Sequence, residues 1–181
     1  CLGIPLFLQE QNAVLGRVNR LFQKFSKIVF HHFEQTKFLD NRKSVHSGNP
    51  VRKTILEKEN SQYLAPGTWP TTILVLGGSQ GASLLSTIIP KALSQLSKAI
   101  KRRITVFHQA RIEDIEKVNF SYNKIGIKAN VDLFFENVEQ LISEAQLIIT
   151  RAGANTLTDI SVIGRPAIFI PLSSAKDDHQ H

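Results

Sequence analysis

Short apolar runs alternate with longer amphipathic stretches along most of the chain. The apolar runs, at residues 4–8, 27–30, 72–76, 104–108, 147–150 and 167–170, predict β-strands. Several are apolar nearly throughout, as is typical of strands covered on both faces of a parallel sheet. Apolar periodicity predicts helices at residues 14–25, 82–100, 112–120, 138–145 and 155–163. This alternation favours an α/β protein with a doubly wound parallel sheet.

One stretch, residues 31–70, breaks the alternation. It is polar, shows only short apolar runs, and carries the turn formers Gly48, Pro50, Pro66, Gly67 and Pro70. It could link an incomplete first domain, ending before about residue 44, to a nearly complete second one. Alternatively, it is a long surface excursion within one domain, which is less common in a compact fold.

Composition excludes some classes of protein and leaves others open. A hydrophobic content of 42% with 20% charged residues is ordinary for a folded globule. No apolar run approaches the ~18–20 residues that cross a bilayer. The net charge of +7 permits attraction to phosphates, nucleic acid or an anionic membrane, and does not choose among them.

The chain of 181 residues has no methionine and begins with Cys1. Average usage predicts roughly four methionines at this length. A mature lipoprotein also begins with cysteine, but an apolar run follows Cys1 where a polar tether is expected. We therefore expect that the chain is not a complete translation product, and that it is either a processed chain or a segment of a longer protein.

A glycine-rich segment at residues 77–82 follows an apolar strand and precedes a long helix. Gly77, Gly78 and Gly81 let the backbone turn sharply and let a ligand approach closely. The N–H groups at the helix start could then bind a phosphate, with Ser79 adding a hydroxyl donor. The spacing matches neither the dinucleotide fingerprint nor the P-loop. A tight turn without a ligand explains the segment equally well.

A second helix start at residues 151–159 also follows an apolar strand. Both would lie on the carboxyl edge of one sheet, where open α/β sheets bind ligands. Thr156 and Asp159 fit a variant of the capping box. Alternatively, the Asp159 carboxylate accepts hydrogen bonds from a ribose diol.

Taken together, these segments resemble a known family. The residues that carry the likeness are Gly77-Gly78-Ser79-Gln80-Gly81-Ala82, Arg151-Ala152-Gly153-Ala154, Gly164-Arg165-Pro166, Asp178-His179-Gln180, Glu10-Gln11-Asn12-Ala13 and Gly48-Asn49-Pro50-Val51-Arg52. In their order along the chain they resemble the peptidoglycan N-acetylglucosaminyltransferases of glycosyltransferase family 28.

The resemblance implies a GT-B fold, with two Rossmann-like domains facing each other across a cleft. Residues 1–43 would be the end of the acceptor-side domain with its linker. Residues 44–181 would be the donor domain, truncated at its C-terminus. The implied reaction is inverting transfer of N-acetylglucosamine from UDP-N-acetylglucosamine to lipid I, giving lipid II, at the cytoplasmic face of the bacterial inner membrane.

Residue roles follow from the same resemblance. Ser79, in the loop of Gly77, Gly78 and Gly81, and Arg52 would bind the donor diphosphate. Asn12 and Gln180 (or its neighbour His179) would contact the sugar. The nucleotide would be held by Ala154, Asn155, Thr156, Asp159 and Phe135, with Asp159 at the ribose and a backbone group of Phe135 at the uracil. The family usually has glutamate at the position of Asp159. The usual catalytic base would lie upstream of Cys1, so the catalytic residue stays unknown and the chain alone is expected to be inactive.

Three further patterns were weighed against simpler explanations. Residues 177–181 are rich in Asp and His, but adjacent ligands in a tail seldom close a metal site, and we expect no metal or cofactor. The basic run at 98–103 lacks interleaved aromatics, so we expect no nucleic-acid partner. A cationic stripe of Arg17, Arg20, Lys24 and Lys27 lies beside an apolar one of Val14, Val18, Leu21, Phe22 and Phe25. These stripes fit either a solvated face beside a core face or contact with anionic lipid.

Overall fold

A computed structural model describes residues 3–65, 67 and 70–171. Within this range the chain forms two compact units. The first takes the residues up to Val51, and the second begins at Arg52. The predicted contact Gln180 and the Asp- and His-rich segment at 177–181 lie outside the described residues.

The first unit is built on a small parallel sheet. Its elements are β1 (Phe7–Glu10), α1 (Arg17–Phe22), β2 (Ile28–His31) and β3 (Ser44–His46), and the strands lie in the order β1-β2-β3. Strand β3 falls in the stretch that the sequence assigned to a linker or a surface excursion. Three residues alternating polar and apolar are too few to show a strand pattern.

Helix α1 does not bury the apolar stripe predicted for it. Val14, just before the helix, is buried, but Val18 is 69% exposed, and Leu21, Phe22 and Phe25 are exposed as well. Three short strands offer little apolar surface to cover the helix. The prediction of a core face on residues 14–25 is therefore wrong within this chain.

The second unit contains a larger parallel sheet with helices between its strands. Its elements are α2 (Lys53–Leu56), β4 (Thr71–Leu76), α3 (Gly78–Ser94), α4 (Lys98–Lys101), β5 (Ile104–Gln109), α5 (Ile115–Ile125), β6 (Lys128–Asp132), α6 (Val138–Glu144), β7 (Leu147–Arg151), α7 (Ala154–Ile163) and β8 (Ala167–Ile170). The strand order is β6-β5-β4-β7-β8, with every pair parallel.

The core of this unit covers both faces of the sheet. On one face Val75 and Val106 pack against Leu85 of α3 and Tyr122 of α5, all fully buried. Leu74 points to the opposite face and is also fully buried. Burial on both faces explains why β4, β5 and β7 read as apolar runs.

Strand β6 was not predicted from the sequence, and one helix was predicted at the wrong position. Strand β6 lies at the sheet edge and is largely polar, so it gives no apolar run. Helix α3 begins at Gly78 instead of residue 82, and it ends at Ser94. A separate helix, α4, follows, because the Ser97 side chain accepts a hydrogen bond from the Ile100 N–H (3.4 Å) and starts a new helix.

Candidate functional site

The candidate site lies where the strand order of the second unit reverses. Strands β4 and β7 are neighbours there, and their connections leave on opposite sides of the sheet. Open parallel sheets bind ligands at the carboxyl ends of the two strands at such a point. The two segments singled out in the sequence leave from these ends.

Both strands lead almost directly into a helix. Gly77 is the N-cap of α3, Gly153 is the N-cap of α7, and neither N-cap makes a side-chain capping bond. Because the first N–H groups of a helix have no partner within it, each helix start can bind an anion. Gly78 has a φ of +61°, a left-handed conformation that glycine adopts without strain.

A cavity of about 210 Å³ opens at this edge of the sheet. Its lining combines an apolar wall with a few polar groups. The lining residues are Arg52, Leu76, Gly78, Gln109, Phe134, Phe135, Val138, Ile142, Thr156 and Asp159. An apolar wall with a few convergent polar groups is typical of small-molecule sites.

Opposite charges meet at the mouth of this cavity. Arg52, just before α2, donates from Nη2 to Oδ2 of Asp159 on α7 at 2.8 Å. The Arg52 side chain is 56% exposed and that of Asp159 only 14%. A guanidinium matches pairs of phosphate oxygens, and a carboxylate accepts hydrogen bonds from hydroxyl groups.

The apolar wall contains aromatic rings. Phe135 is buried, and its ring meets that of Phe107 edge to face at a centroid distance of 6.1 Å. Phe134 beside it is 64% exposed. Gln109 donates from Nε2 to the Leu133 carbonyl (3.2 Å), which fixes its amide at the cavity. A flat ring with polar edges would suit this wall.

A buried arginine adds positive charge near the same edge. Arg151 ends β7 and is 7% exposed, and its Nε and Nη1 atoms have no hydrogen-bond partner within the described part of the chain. A buried guanidinium is costly unless an anion or an acceptor compensates it. This edge of the sheet therefore favours an anionic ligand.

His108, next to Gln109, belongs to the core and not to the cavity. Its ring is fully buried, and its Nδ1 lies 2.8 Å from the Tyr122 hydroxyl. Burial lowers the pKa of His108 to about 4, so the ring is neutral at physiological pH.

Several of the predicted site residues come together here. Arg52, Gly78, Phe135, Thr156 and Asp159 all line the cavity. Ala154 and Asn155 form the first turn of α7 beside it, after the N-cap Gly153. The capping box proposed for Thr156 and Asp159 is wrong, because both residues lie inside a helix that starts earlier.

Other predicted residues lie elsewhere. Ser79 and Gly81 fall in the first turns of α3, and the Ser79 side chain lies outside the described part. Asn12 lies in the first unit, where its backbone N–H and Nδ2 both donate to Glu10 Oε1 at 3.0 Å. Glu10 is buried and also accepts from the Gly16 N–H (2.7 Å), so the turn holding Asn12 is well fixed.

Half of the residues that line the cavity were not predicted from the sequence. The missed residues are Leu76, Gln109, Phe134, Val138 and Ile142. Four of them are apolar and look like ordinary core positions of a strand, a loop and a helix. Only Gln109, a polar residue ending a buried strand, gives a local signal of a site.

A metal centre or a membrane span would each require a specific arrangement of the described residues. They contain no group of three or more His, Cys, Asp or Glu side chains placed to hold a metal ion. None of the helices in the described ranges combines the length and apolar character needed to span a bilayer.

Comparison with known proteins gives a consistent result. The chain is 43% identical to the UDP-N-acetylglucosamine--N-acetylmuramyl-(pentapeptide) pyrophosphoryl-undecaprenol N-acetylglucosamine transferase of Paramagnetospirillum magneticum, over 98% of this chain and 49% of that protein. A protein of the same name from Granulibacter bethesdensis is also 43% identical, over 98% of this chain and 47% of its own length. The chain thus spans about half the length of the curated relatives it matches.

Solved structures agree with the sequence matches. The crystal structure of Acinetobacter baumannii MurG superposes with a TM-score of 0.74 and 34% identity, covering 99% of this chain and 49% of that one. The glycotransferase of kitacinnamycin superposes with a TM-score of 0.52 at 11% identity, covering 86% of this chain and 38% of that one, which is a likeness of fold alone. These matches confirm the predicted GT-B fold class.

A family match covers most of the second unit and every residue of the cavity lining except Arg52. Residues 72–181 match the Glycosyltransferase family 28 C-terminal domain. Together with the parallel sheet, the two helix starts and the cavity between them, this match means that the chain belongs to glycosyltransferase family 28.

Proposed function

We propose that this chain supplies the donor site of an enzyme that transfers N-acetylglucosamine from UDP-N-acetylglucosamine to lipid I, giving lipid II for peptidoglycan. The observation that carries the proposal is the meeting of Arg52 and Asp159 at one aromatic-walled cavity. A nucleoside diphosphate requires a cation for its phosphates, an acceptor for its ribose and an apolar wall for its base. The names of the relatives point to the same donor and acceptor.

The donor would occupy the cavity as follows. The uracil would lie against the wall that contains Phe135, and the ribose hydroxyls would donate to Asp159. The diphosphate would meet Arg52 and the N-termini of α3 and α7. Asn12, Ser79 and Gln180 are proposed donor contacts on the resemblance alone.

These groups would act mainly on the leaving group. Inverting transfer breaks the bond between the sugar and the diphosphate while the acceptor hydroxyl of lipid I attacks. Negative charge then develops on the departing UDP, and fixed positive groups that face it lower the barrier. Arg52 and the two helix starts would provide this stabilisation. The base that takes the acceptor proton is not assigned to any residue of this chain.

The same proposal assigns the two parts of the chain. Residues 1–43 would be the end of the acceptor-side domain with its linker. The donor domain, expected from the sequence at residues 44–181, would start nearer Arg52, because β3 (Ser44–His46) pairs with β2 of the first unit. The family match to residues 72–181 supports the second assignment.

We further propose peripheral contact with an anionic membrane at the cytoplasmic face of the bacterial inner membrane. Helix α1 and the residues after it carry Arg17, Arg20, Lys24 and Lys27 beside the exposed side chains of Val18, Leu21, Phe22 and Phe25. Apolar insertion with flanking cations is the usual basis of such binding, each cation contributing about 1 kcal/mol near an anionic surface.

Vesicle sedimentation of the full-length protein tests the membrane contact. Replacing Lys24 and Lys27 by Glu should weaken binding to phosphatidylglycerol vesicles several-fold and leave the weak binding to phosphatidylcholine unchanged. The same charge reversal at Lys124 and Lys128, in the second unit, is the control. Equal loss in both double variants would show that only total charge matters.

A binding and transfer experiment tests the catalytic proposal. Calorimetry on the full-length protein should show binding of UDP-N-acetylglucosamine and UDP, and weaker binding of CDP. Incubation with a lipid I analogue should yield the disaccharide product. Donor binding without transfer to that analogue would favour the second candidate, another UDP-sugar-dependent GT-B glycosyltransferase. Absence of UDP binding would exclude both.

A further inference from the structure

One buried hydroxyl group connects the two strand ends that lead into the candidate site. Thr150, in β7, is 1% exposed. Its Oγ1 lies 3.1 Å from the carbonyl oxygen of Leu76, the last residue of β4, and 3.2 Å from the carbonyl oxygen of Arg151. Since a hydroxyl has one hydrogen, these two carbonyl groups share it.

Each of these carbonyl groups belongs to the peptide unit that precedes a helix start. The Leu76 carbonyl is bonded to Gly77, the N-cap of α3. The Arg151 carbonyl also accepts from the N–H of Gly153, the N-cap of α7, at 2.9 Å. The hydroxyl group of Thr150 therefore contacts both turns at once, at the place where the strand order reverses.

We propose that Thr150 is a positioning residue that fixes the two helix starts relative to each other, so that both can bind the donor diphosphate. This inference rests on the proposed function. Thr150 touches no substrate and acts through the peptide units of Leu76 and Arg151. Without its hydrogen, the Leu76 carbonyl oxygen loses this donor, the Arg151 carbonyl oxygen keeps the Gly153 N–H, and the hydrogen-bonded link between the two turns is lost.

The chemistry of the ligand separates this role from a general effect on the fold. The N–H groups of the two helix starts would contact phosphate oxygens, whereas the uridine part would contact Asp159 and the aromatic wall. Losing the Thr150 hydroxyl should thus weaken the binding of UDP and leave that of uridine nearly unchanged.

Three substitutions in the full-length protein test this. Thr150→Val keeps the shape and removes the hydroxyl, Thr150→Ala removes it without adding bulk, and Thr150→Ser retains it. We expect Val and Ala to raise the Kd for UDP about tenfold and to change the Kd for uridine less than twofold. The Ser variant should bind both ligands like the wild type.

A matched control is available on α3. Thr87 is exposed, and its Oγ1 donates to the Ser83 carbonyl oxygen at 3.1 Å. Thr87→Val removes the same kind of bond away from the strand ends, so the Kd for UDP should not change.

Four results would overturn the inference. They are unchanged UDP binding in Thr150→Val, equal weakening of UDP and uridine, a Ser variant as weak as Val, and failure of both Val and Ala to fold. The last would mean that the hydroxyl group supports the fold as a whole. If the wild-type protein binds UDP, any of these results refutes only the role proposed for Thr150 and leaves the proposed function standing. If it does not, the proposed function itself fails.

Discussion

Arg52 and Asp159, 107 residues apart in the sequence, form an ion pair of 2.8 Å at the cavity of the second unit. We propose that Arg52 contacts the diphosphate and Asp159 the ribose of a nucleoside diphosphate. The pair is also partly exposed, so it contributes little to the stability of the fold. Its placement at the cavity is consistent with the proposed binding of the donor.

Replacing Arg52 should damage donor binding more than the fold. Arg52→Ala removes the cation proposed for the diphosphate, and we expect the KM for UDP-N-acetylglucosamine to rise at least tenfold. The melting temperature should change little. Lys53→Ala is the matched control, because Lys53 is the neighbouring cation and pairs only loosely with Glu57 (3.9 Å). Steady-state kinetics of both variants decide the matter, and an unchanged KM in Arg52→Ala would remove Arg52 from the phosphate site.

Asp159 should determine whether the ribose hydroxyls are recognised. The wild-type protein should bind UDP more tightly than 2′,3′-dideoxy-UDP, because the diol donates to the carboxylate. Asp159→Ala should lose most of this preference, on the order of tenfold, and Asp159→Glu should keep it. Competition binding with the two nucleotides measures the ratio. If the Ala variant keeps the full preference, the diol binds elsewhere.

The sequence predicted the central strands and the start of α7 better than it predicted the cavity. Buried strands such as β4 and β7 must be apolar on both faces, which gives a continuous run that is visible without a structure. Strand β6, polar and at the edge, gives no such run.

The cavity wall could not be separated from the core by local pattern. Val138 and Ile142 occupy the apolar face of an amphipathic helix, as core residues do. Arg52 lies in the irregular stretch between the predicted strands, where no periodicity gives it a place. Only the family resemblance pointed to it, because its meeting with Asp159 depends on how α2 packs against α7.

Substitutions at Gly78 and Gly126 can distinguish an effect on ligand binding from an effect of backbone strain on stability. Both have positive φ, +61° and +73°, and a Cβ atom added at either would meet nothing within 4 Å. Alanine at either position should therefore lower the free energy of unfolding by a similar amount, about 1 kcal/mol. Only Gly78 lines the cavity, so only Gly78→Ala should raise the Kd for UDP several-fold. Equal UDP binding by the two variants would contradict a role for the turn at Gly78.

His108 should make stability fall in mild acid. Burial lowers its pKa from 6.5 to about 4 in the folded protein. Between pH 6.5 and pH 4 the unfolded chain binds a proton at His108 that the folded chain does not. The free energy of unfolding is therefore highest above about pH 6.5 and decreases as the pH falls towards 4. The loss is on the order of 3 kcal/mol. In urea unfolding at pH 7 and pH 4.5, the free energy of unfolding of His108→Gln should decrease less between the two pH values than that of the wild type. Tyr122→Phe should show the same large decrease as the wild type. Parallel pH profiles in wild type and His108→Gln would refute this.

Arg165 belongs to one of the segments that carry the family resemblance, yet its contacts are those of a structural residue. It is 7% exposed. Its guanidinium donates to the carbonyl oxygens of Ser143 (2.9 Å) and Ile163 (3.0 Å) and to the Ser61 hydroxyl (2.7 Å). Arg165→Ala leaves these acceptors unpaired and should lower the free energy of unfolding by about 3 kcal/mol. The folded fraction of Arg165→Ala should still bind UDP normally. The free energy of unfolding of Arg165→Lys should lie between those of the wild type and Arg165→Ala. Urea unfolding and UDP titration of the same samples separate the effects. A raised Kd for UDP with unchanged stability would instead place Arg165 in the binding machinery.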